Sequence, residues 1–207
     1  MSIKQEISTP DPFVLIVSGS PRLGGNSDTL AKHIAQEVTS ASLDAEIVNL
    51  SEHEFSGCIG CERCRKSGIC TQFDDGMTPI YDKLLRAQGL VLISPVHNYN
   101  VTSWTKAFID RLYCFYEFEN PRPGPWRSVL SNQGRTALVV AVSEQNDVAD
   151  AGFALEAMRM PLEALGYEVI EDLLVPGVFG KGEVARRPEA LRTVEDAARD
   201  LAERVSS

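Results

Sequence analysis

The feature that most restricts the fold of this 207-residue chain is a set of five short, largely apolar segments. FVLIVSGS at 13–20, GLVLISP at 89–95 and TALVVAVS at 136–143 are almost continuously apolar, and AEIVNL at 45–50 and YEVIEDLLV at 167–175 complete the set. Strands of a parallel sheet have this composition because helices cover both of their faces. The segments therefore predict five strands of one parallel sheet.

Helical patterns lie between these predicted strands. The stretch at about 102–116 repeats large apolar residues at helical spacing, which predicts that Trp104 faces inward, and further helices are predicted at about 149–165 and 189–205. Alternating strands and helices are typical of an α/β fold with helices on both faces of the sheet. Five strands fit the flavodoxin-like order 2-1-3-4-5, in which a ligand binds beyond the carboxyl ends of the first and third strands.

The composition predicts one domain that binds neither nucleic acid nor membranes. We assign residues 1–12 to a polar leader and residues 13–207 to the domain, with a cysteine-rich insertion at 56–73. The net charge of −9 repels nucleic acid and anionic membranes, so neither is expected as a partner. The sequence contains neither a signal-peptide pattern nor a run of about 20 apolar residues, which predicts a cytoplasmic protein.

The segment SGSPRLGGNS at 18–27 joins the first predicted strand to the first helix and resembles a phosphate-binding loop in composition. Backbone N–H groups of such a loop point outward at the positive end of the helix dipole. Arg22 adds a fixed positive charge. The loop matches neither GxGxxG nor GxxxxGK[ST], so it lacks a dinucleotide fingerprint and suits a monophosphate better than a triphosphate. The candidate cofactor-binding residues here are Ser18, Ser20, Arg22, Gly25, Asn26 and Ser27.

A second polar segment, SPVHNYN at 94–100, follows the third predicted strand and is expected beside the same crevice. Amides can hydrogen-bond the edge of a flavin, and a Tyr or His ring can stack on its face. His97 is also the candidate catalytic base, the alternative being an ordinary surface histidine. The cofactor-binding candidates on this side are Pro95, Val96, His97, Asn98, Tyr99 and Asn100, together with Ser143 at the end of the fourth strand.

Four of the five cysteines lie within thirteen residues, in CIGCERCRKSGIC at 58–70. Two-residue gaps turn the chain tightly enough for several thiolates to converge on an iron–sulfur cluster, and Gly60 and Gly68 ease the turns. Zinc usually takes two C-x₂-C pairs separated by a longer loop, a cytoplasmic setting disfavours disulfides, and unmetallated thiols are a further alternative. The candidate metal ligands are Cys58, Cys61, Cys64 and Cys70, whereas Cys114 is expected to be a buried helix residue apart from them.

Together, GSPRLGGNS, CIGCERC with its later cysteine, and SPVHNYNVTSWTKAFIDRL resemble the NADPH-dependent FMN reductase-like flavoproteins, and more narrowly their small iron–sulfur flavoproteins. The resemblance implies a flavodoxin-like fold, FMN as prosthetic group and a homodimer or homotetramer. Residues 95–100 would cradle the flavin ring, although His97 stands where relatives commonly have tyrosine. The family's phosphate loop corresponds to Ser20, Arg22, Asn26 and Ser27.

These features favour an FMN-dependent iron–sulfur oxidoreductase. A flavin exchanges electrons in pairs or singly and a cluster exchanges them singly, so the two together couple two-electron flavin chemistry to one-electron transfer. A [4Fe–4S] cluster is favoured over [3Fe–4S]. The expected partners are NAD(P)H or another small-molecule substrate, and a one-electron protein partner such as ferredoxin.

Three alternatives are kept: a dehydrogenase of the 2-amino-4-deoxychorismate type, a cluster-free NAD(P)H-dependent FMN reductase, and a non-enzymatic flavodoxin-like electron carrier. In the dehydrogenase, His97 would be the base and Arg122 or Arg127 would pair with a substrate carboxylate. Both arginines lie in the Pro-rich stretch FENPRPGPWRS at 118–128. That stretch is long enough to cover the crevice, the alternative being a stiff surface loop.

Overall fold

The computed structural model describes residues 12–207, so all but the last residue of the predicted leader lies outside it. The strands are β1 (Phe13–Ser18), β2 (Asp44–Asn49), β3 (Gly89–Pro95), β4 (Tyr116–Phe118), β5 (Trp126–Ser128), β6 (Thr136–Val142) and β7 (Glu168–Val175). The helices are α1 (Asn26–Ser40), α2 (Cys64–Ser67), α3 (Thr78–Arg86), α4 (Ser103–Arg111), α5 (Ala154–Leu165) and α6 (Pro188–Ser206). Short 3₁₀ segments lie at Leu50–Glu52, Leu112–Phe115, Val148–Ala151 and Glu183–Arg186.

Five strands form one sheet in the order β2-β1-β3-β6-β7, and every neighbouring pair is parallel. The predicted flavodoxin-like order 2-1-3-4-5 is therefore confirmed. The central strands β1, β3 and β6 are almost completely buried because helices pack on both faces. In a parallel sheet all carboxyl ends point to one edge, so the loops that follow β1, β3 and β6 meet there.

The two faces of the sheet have separate hydrophobic cores. On one face, side chains of α3, α4 and α5 such as Ile80, Phe108 and Met158 pack on the sheet. On the other, α1 and α6 contribute Ile34 and Leu201 among others. Full burial of one such side chain contributes about 1.5–3 kcal/mol, so each helix is held mainly by its apolar face. No helix in the described part of the chain is both long and apolar enough to cross a membrane.

The structure corrects two predictions for the region after β3. The single helix expected at about 102–116 is divided into α4 and a 3₁₀ turn, after which β4 and β5 form an antiparallel hairpin that was not predicted. Trp104 is 38% exposed rather than inward-facing. The reason is that the inner side of the first turn of α4 is occupied by the buried hydroxyl of Thr105, which bonds to the loops of the crevice.

Candidate functional site

The loops after β1 and β3 meet in one crevice at the carboxyl edge of the sheet. Most of the predicted cofactor-binding residues line it. Six lining residues were missed by sequence reasoning: Pro21, Val142, Glu144, Val178, Phe179 and Lys181. The predicted residues in the lining are Ser20, Arg22, Gly25, Asn26, Ser27, Pro95, Val96 and His97.

A buried network of hydroxyl groups fixes the two loops against the start of α4. Thr102 Oγ1 donates to the carbonyl of Gly19 at 2.7 Å, and Thr105 Oγ1 donates to Ser94 Oγ at 3.0 Å. The N–H of Gly19 in turn donates to the carbonyl of Ile93 at 2.8 Å. A Cβ at position 19 would lie 1.8 Å from Thr105 Oγ1, so only glycine fits. The crevice is thus preorganised by contacts within the protein.

The end of the crevice at α1 has the groups that a phosphate needs. The first N–H groups of α1 have no partner inside the helix and carry the positive end of its dipole. The guanidinium of Arg22 lies 5.2 Å from the centre of the Phe179 ring, which orients it, and Lys181 adds a second cation to the lining. Asn26 Oδ1 accepts from the N–H of Val184 at 3.0 Å, so its amide N–H₂ is the end left to donate. A phosphate monoester such as that of FMN fits this donor set.

The loop around His97 is a tight turn. The His97 N–H donates to the Asn100 carbonyl at 2.7 Å, and the Asn100 N–H donates back at 3.1 Å. Asn98 and Tyr99 have φ values of +48° and +61°, as such a turn requires. The exposed His97 lines the crevice, whereas Asn98, Tyr99 and Asn100 are outside the lining, and the Tyr99 side chain is 61% exposed. Their assignment to the flavin ring stays a prediction.

Two predicted serines, Ser18 and Ser143, are buried and lie outside the crevice lining. The Ser143 hydroxyl accepts from the Gln145 N–H at 3.2 Å, and the Ser18 hydroxyl lies 3.5 Å from the Asp28 carboxylate. Both hydroxyl groups therefore shape the loops that carry the crevice. Direct contact of either serine with a cofactor stays a prediction.

The four clustered cysteines line a second, smaller pocket. Cys58 and Cys61 are exposed, and Cys64 and Cys70 are half-buried against the core. The chain turns between them at Gly60 and Gly68, with φ values of +67° and +73° that favour glycine. Contrary to prediction, the buried Cys114 is not apart from the others, because it lines the same pocket.

The thiols are close enough to influence one another. Burial, followed by the neighbouring Cys70, Cys58 and Cys61, raises the pKa of Cys64 above its ordinary value. Burial also raises the pKa of Cys114 to about 12. Positive charge brought into the pocket would favour the thiolate forms, which are the forms that bind metals.

The donor set consists of several thiols around one pocket, the ligand type that both iron–sulfur clusters and zinc use. Within residues 12–207 no group of three or more Cys, His, Asp or Glu side chains is placed so that it could hold one metal ion. Tetrahedral zinc requires four sulfurs at about 2.3 Å from one point. An iron–sulfur cluster is held by cysteine thiolates, so the chemistry of four thiols around one pocket is compatible with it.

The Pro-rich stretch at 118–128 covers the cysteine segment and not the crevice. Arg122 forms an ion pair with Glu62 and donates to the Tyr113 hydroxyl at 3.1 Å. The hydrogen bond from Arg122 is the main reason that the pKa of Glu62 lies below its ordinary value. Arg127 pairs with Glu117 across the β4–β5 hairpin at 2.7 Å. The position favours the surface-loop alternative over a cover of the crevice, because both arginines already have carboxylate partners elsewhere.

The chain is similar to known flavoproteins over much of its length. The family described as NADPH-dependent FMN reductase matches residues 12–172. An iron–sulfur flavoprotein of Archaeoglobus fulgidus is 29% identical over 169 residues, 82% of this chain and 79% of that protein. One of Methanocaldococcus jannaschii is 34% identical over 98 residues, 47% of this chain, and the match spans only 50% of that protein. The solved NAD(P)H:quinone oxidoreductase from Methanothermobacter marburgensis shares the fold, with a TM-score of 0.70 over 92% of this chain and 99% of that one, at 16% identity.

Proposed function

This chain belongs to the NADPH-dependent FMN reductase family, and on that premise we propose that it is an FMN-dependent oxidoreductase that couples two-electron flavin chemistry to one-electron transfer through an iron–sulfur cluster. The relatives named as iron–sulfur flavoproteins support the proposal. Bound FMN supplies hydride chemistry, and a bound cluster supplies single-electron exchange.

The observation that carries the proposal is the position of the two sites on one helix. Thr102, which caps the start of α4, bonds to the loop of the crevice, and Arg111, the last residue of α4, lines the cysteine pocket. The rise of a helix from residue 102 to residue 111 is about 14 Å. Two redox groups at these ends would be neighbours, which is the arrangement that electron exchange between them needs.

Each group would be held by a different part of the chain. Arg22, Lys181 and the N–H groups at the start of α1 would bind the FMN phosphate, while residues 95–97 would lie against the ring system. His97 is the one histidine in that lining, and we assign it to orienting or deprotonating the substrate. The cluster, [4Fe–4S] in preference to [3Fe–4S], would be held by Cys58, Cys61, Cys64 and Cys70.

The expected partners are NAD(P)H, or another small reducing substrate, and a one-electron protein acceptor such as ferredoxin. A homodimer or homotetramer in the cytoplasm stays part of the proposal. In the dehydrogenase alternative, Arg122 or Arg127 would bind a substrate carboxylate, and their ion pairs with Glu62 and Glu117 speak against that role. The cluster-free FMN reductase has one observation in its favour, namely that no group of ligands in the described residues is placed for a single metal ion.

The test compares the wild-type protein with Cys61→Ser, both purified without oxygen and both loaded with FMN. NAD(P)H oxidation with free flavin as acceptor measures flavin chemistry alone, and ferredoxin reduction measures one-electron output. We expect the variant to retain the first activity and to lose the second. Equal ferredoxin reduction by both proteins would favour the cluster-free reductase, and turnover of a chorismate-type acid without NAD(P)H oxidation would favour the dehydrogenase.

A further inference from the structure

Arg111 has an unusual environment for a charged residue. Its side chain is only 1% exposed, and the guanidinium makes four hydrogen bonds. It forms a two-pronged pair with Asp75, with Nη1 2.7 Å from Oδ2 and Nη2 3.0 Å from Oδ1. Nη1 also donates to the Ser56 carbonyl at 2.8 Å, and Nε donates to the Tyr81 hydroxyl at 3.1 Å. These hydrogen bonds compensate the burial of the charge and hold the guanidinium in one position.

The partners of Arg111 lie at the two ends of the cysteine segment. Ser56 precedes Cys58 by two residues, and Asp75 follows Cys70 by five. The Asp75 carboxylate also accepts from the Ser56 N–H at 3.2 Å, so the two ends contact each other as well as the guanidinium. The ring of Phe73 lies 5.1 Å from the guanidinium carbon. The first and last residues of the segment 56–75 therefore lie next to each other, and the Arg111 guanidinium contacts both.

Arg111 is also part of the wall of the cysteine pocket, together with all four clustered cysteines. The other charged side chain in that wall is Glu62, which is paired with Arg122 and Arg65. The guanidinium is thus a fixed positive charge at the cysteine pocket, close enough to Cys70 to interact with it electrostatically, and Asp75 is the negative charge paired with it. Fixed charges of this kind set the potential of a redox group by favouring one of its two charge states.

We propose that Arg111 is the positioning residue of the cysteine segment. Its guanidinium closes the two ends of residues 56–75 so that four thiols face one pocket, and its charge favours the reduced, more negative state of the group held there. The second part rests on the proposed function. Lysine cannot replace the first role, because the three nitrogens of Arg111 reach three partners in a fixed planar geometry that one ammonium cannot reproduce.

Three variants separate position from charge. Arg111→Lys keeps the charge and loses the planar contacts, Arg111→Met loses both, and Asp75→Asn weakens the contacts and removes the opposing charge. Lys106→Met is the matched control, because Lys106 is an exposed cation on the same helix. The readouts are iron release to a chelator, the midpoint potential of the cluster, amide exchange of residues 56–75 and retained FMN, which reports that the rest of the domain is folded.

We expect iron release to become roughly tenfold to hundredfold faster in all three variants, as for other partners outside the ligand shell, and unchanged in Lys106→Met. In protein without iron, the rate of amide exchange of residues 56–75 should also be higher in these three variants than in the wild type. The midpoint potential should fall in Arg111→Met, rise in Asp75→Asn and stay near the wild-type value in Arg111→Lys. A merely structural role would move the potentials of the Met and Asn variants in the same direction.

Wild-type exchange and iron release in Arg111→Lys would overturn the positioning role. Potentials that move together in Arg111→Met and Asp75→Asn would overturn the charge role. If Arg111→Met does not fold, a raised potential in Asp75→Asn beside a wild-type potential in Arg111→Lys would support the charge role, and equal shifts in the two variants would overturn it. A wild-type protein that never binds iron would overturn the proposed function and the charge role with it, and amide exchange in Arg111→Lys would then decide the positioning role alone.

Discussion

The crevice and the cysteine pocket are built in different ways. The crevice is formed by loops at the carboxyl ends of buried strands, and neutral hydroxyl groups of Ser94, Thr102 and Thr105 tie these loops together. The cysteine segment is an exposed loop outside the sheet, and ion pairs hold it in place. Arg111 pairs with Asp75 at the end of the segment, and Arg122 pairs with Glu62 in its middle. The backbone of the fold positions the first site, whereas side chains from distant parts of the chain position the second.

Because the two sites are held by different contacts, we expect a substitution or a change of pH to affect one site without the other. A hydroxyl network inside a packed sheet edge tolerates little change of shape, because interiors are packed to crystal-like density. A surface loop held by charged side chains tolerates changes of shape and is sensitive to changes of charge. Four predictions follow this distinction, from the largest expected effect to the smallest.

Cys61→Ser should abolish iron and sulfide binding while FMN binding stays unchanged. Serine removes one ligand of the pocket, and none of the cysteines lines the crevice. Iron, sulfide and flavin contents per chain measure the effect. Cys114→Ser is not a suitable control, because Cys114 lines the same pocket. Loss of both cofactors together would show that the two regions form one cooperative unit.

Arg22→Ala should weaken FMN binding by roughly tenfold to hundredfold, since a hydrogen bond to a charged group contributes about 1.5–3 kcal/mol. Riboflavin, which lacks the phosphate, is the matched ligand control and should bind both proteins equally. Fluorescence titration with each flavin gives the two dissociation constants. Equal weakening for riboflavin would place the effect in the protein fold instead of the phosphate site.

Gly19→Ala and Gly57→Ala make the same chemical change in the two regions. A Cβ at position 19 would overlap Thr105 Oγ1, so we expect a loss of about 1–3 kcal/mol in the free energy of unfolding. A Cβ at position 57 has only Ala107 as a neighbour, at 4.0 Å, so Gly57→Ala should be neutral or slightly stabilising. Denaturant melts of both variants test this. Equal destabilisation would contradict the distinction between a packed and an open region.

Mild acid should loosen the cysteine segment before the hydroxyl network that ties the crevice loops together. Burial works to raise the pKa of Asp75, but hydrogen bonds from Arg111, Met77 and Ser56 outweigh it, so the pKa lies below its ordinary value. A depressed carboxyl pKa contributes stability above the unfolded value of about 3.9, and that contribution is lost as the pH falls towards the folded value. The hydroxyl network of the crevice has no group that titrates there.

Amide exchange of residues 56–75, followed from about pH 5 to about pH 3, measures this effect. Protection should fall with pH in the wild type. In Asp75→Asn it should be low throughout and depend less on pH, since the titrating group is gone. The same pH dependence in both proteins would assign the acid effect to another carboxylate.

The sequence predicted the sheet and its order because apolar strands and helical periodicity are local signals. Eight of the predicted residues line the crevice, because the loops after β1 and β3 lie at the same edge of a parallel sheet. The same rule applied to β7 would have found Lys181. The β4–β5 hairpin was missed because its strands have three residues each, too few to show a period.

Contacts between distant residues could not be predicted in this way. Arg111 is 36 residues from Asp75 and 55 from Ser56, and no local pattern connects them. Cys114 was placed apart from the other cysteines for the same reason, because only the packing of the turn after α4 brings it to their pocket. The length of the Pro-rich stretch left open whether it covers the crevice or forms a surface loop, whereas the ion pair of Arg122 with Glu62 holds it on the cysteine segment.

The measurement that tests the account most directly is the cofactor content of wild-type protein purified without oxygen. Iron, acid-labile sulfide, zinc and FMN are quantified per chain, alongside the visible spectrum. The account predicts about one FMN together with about four irons and four sulfides per chain, the content of a [4Fe–4S] flavoprotein. FMN without iron and sulfide, or zinc in their place, would contradict it.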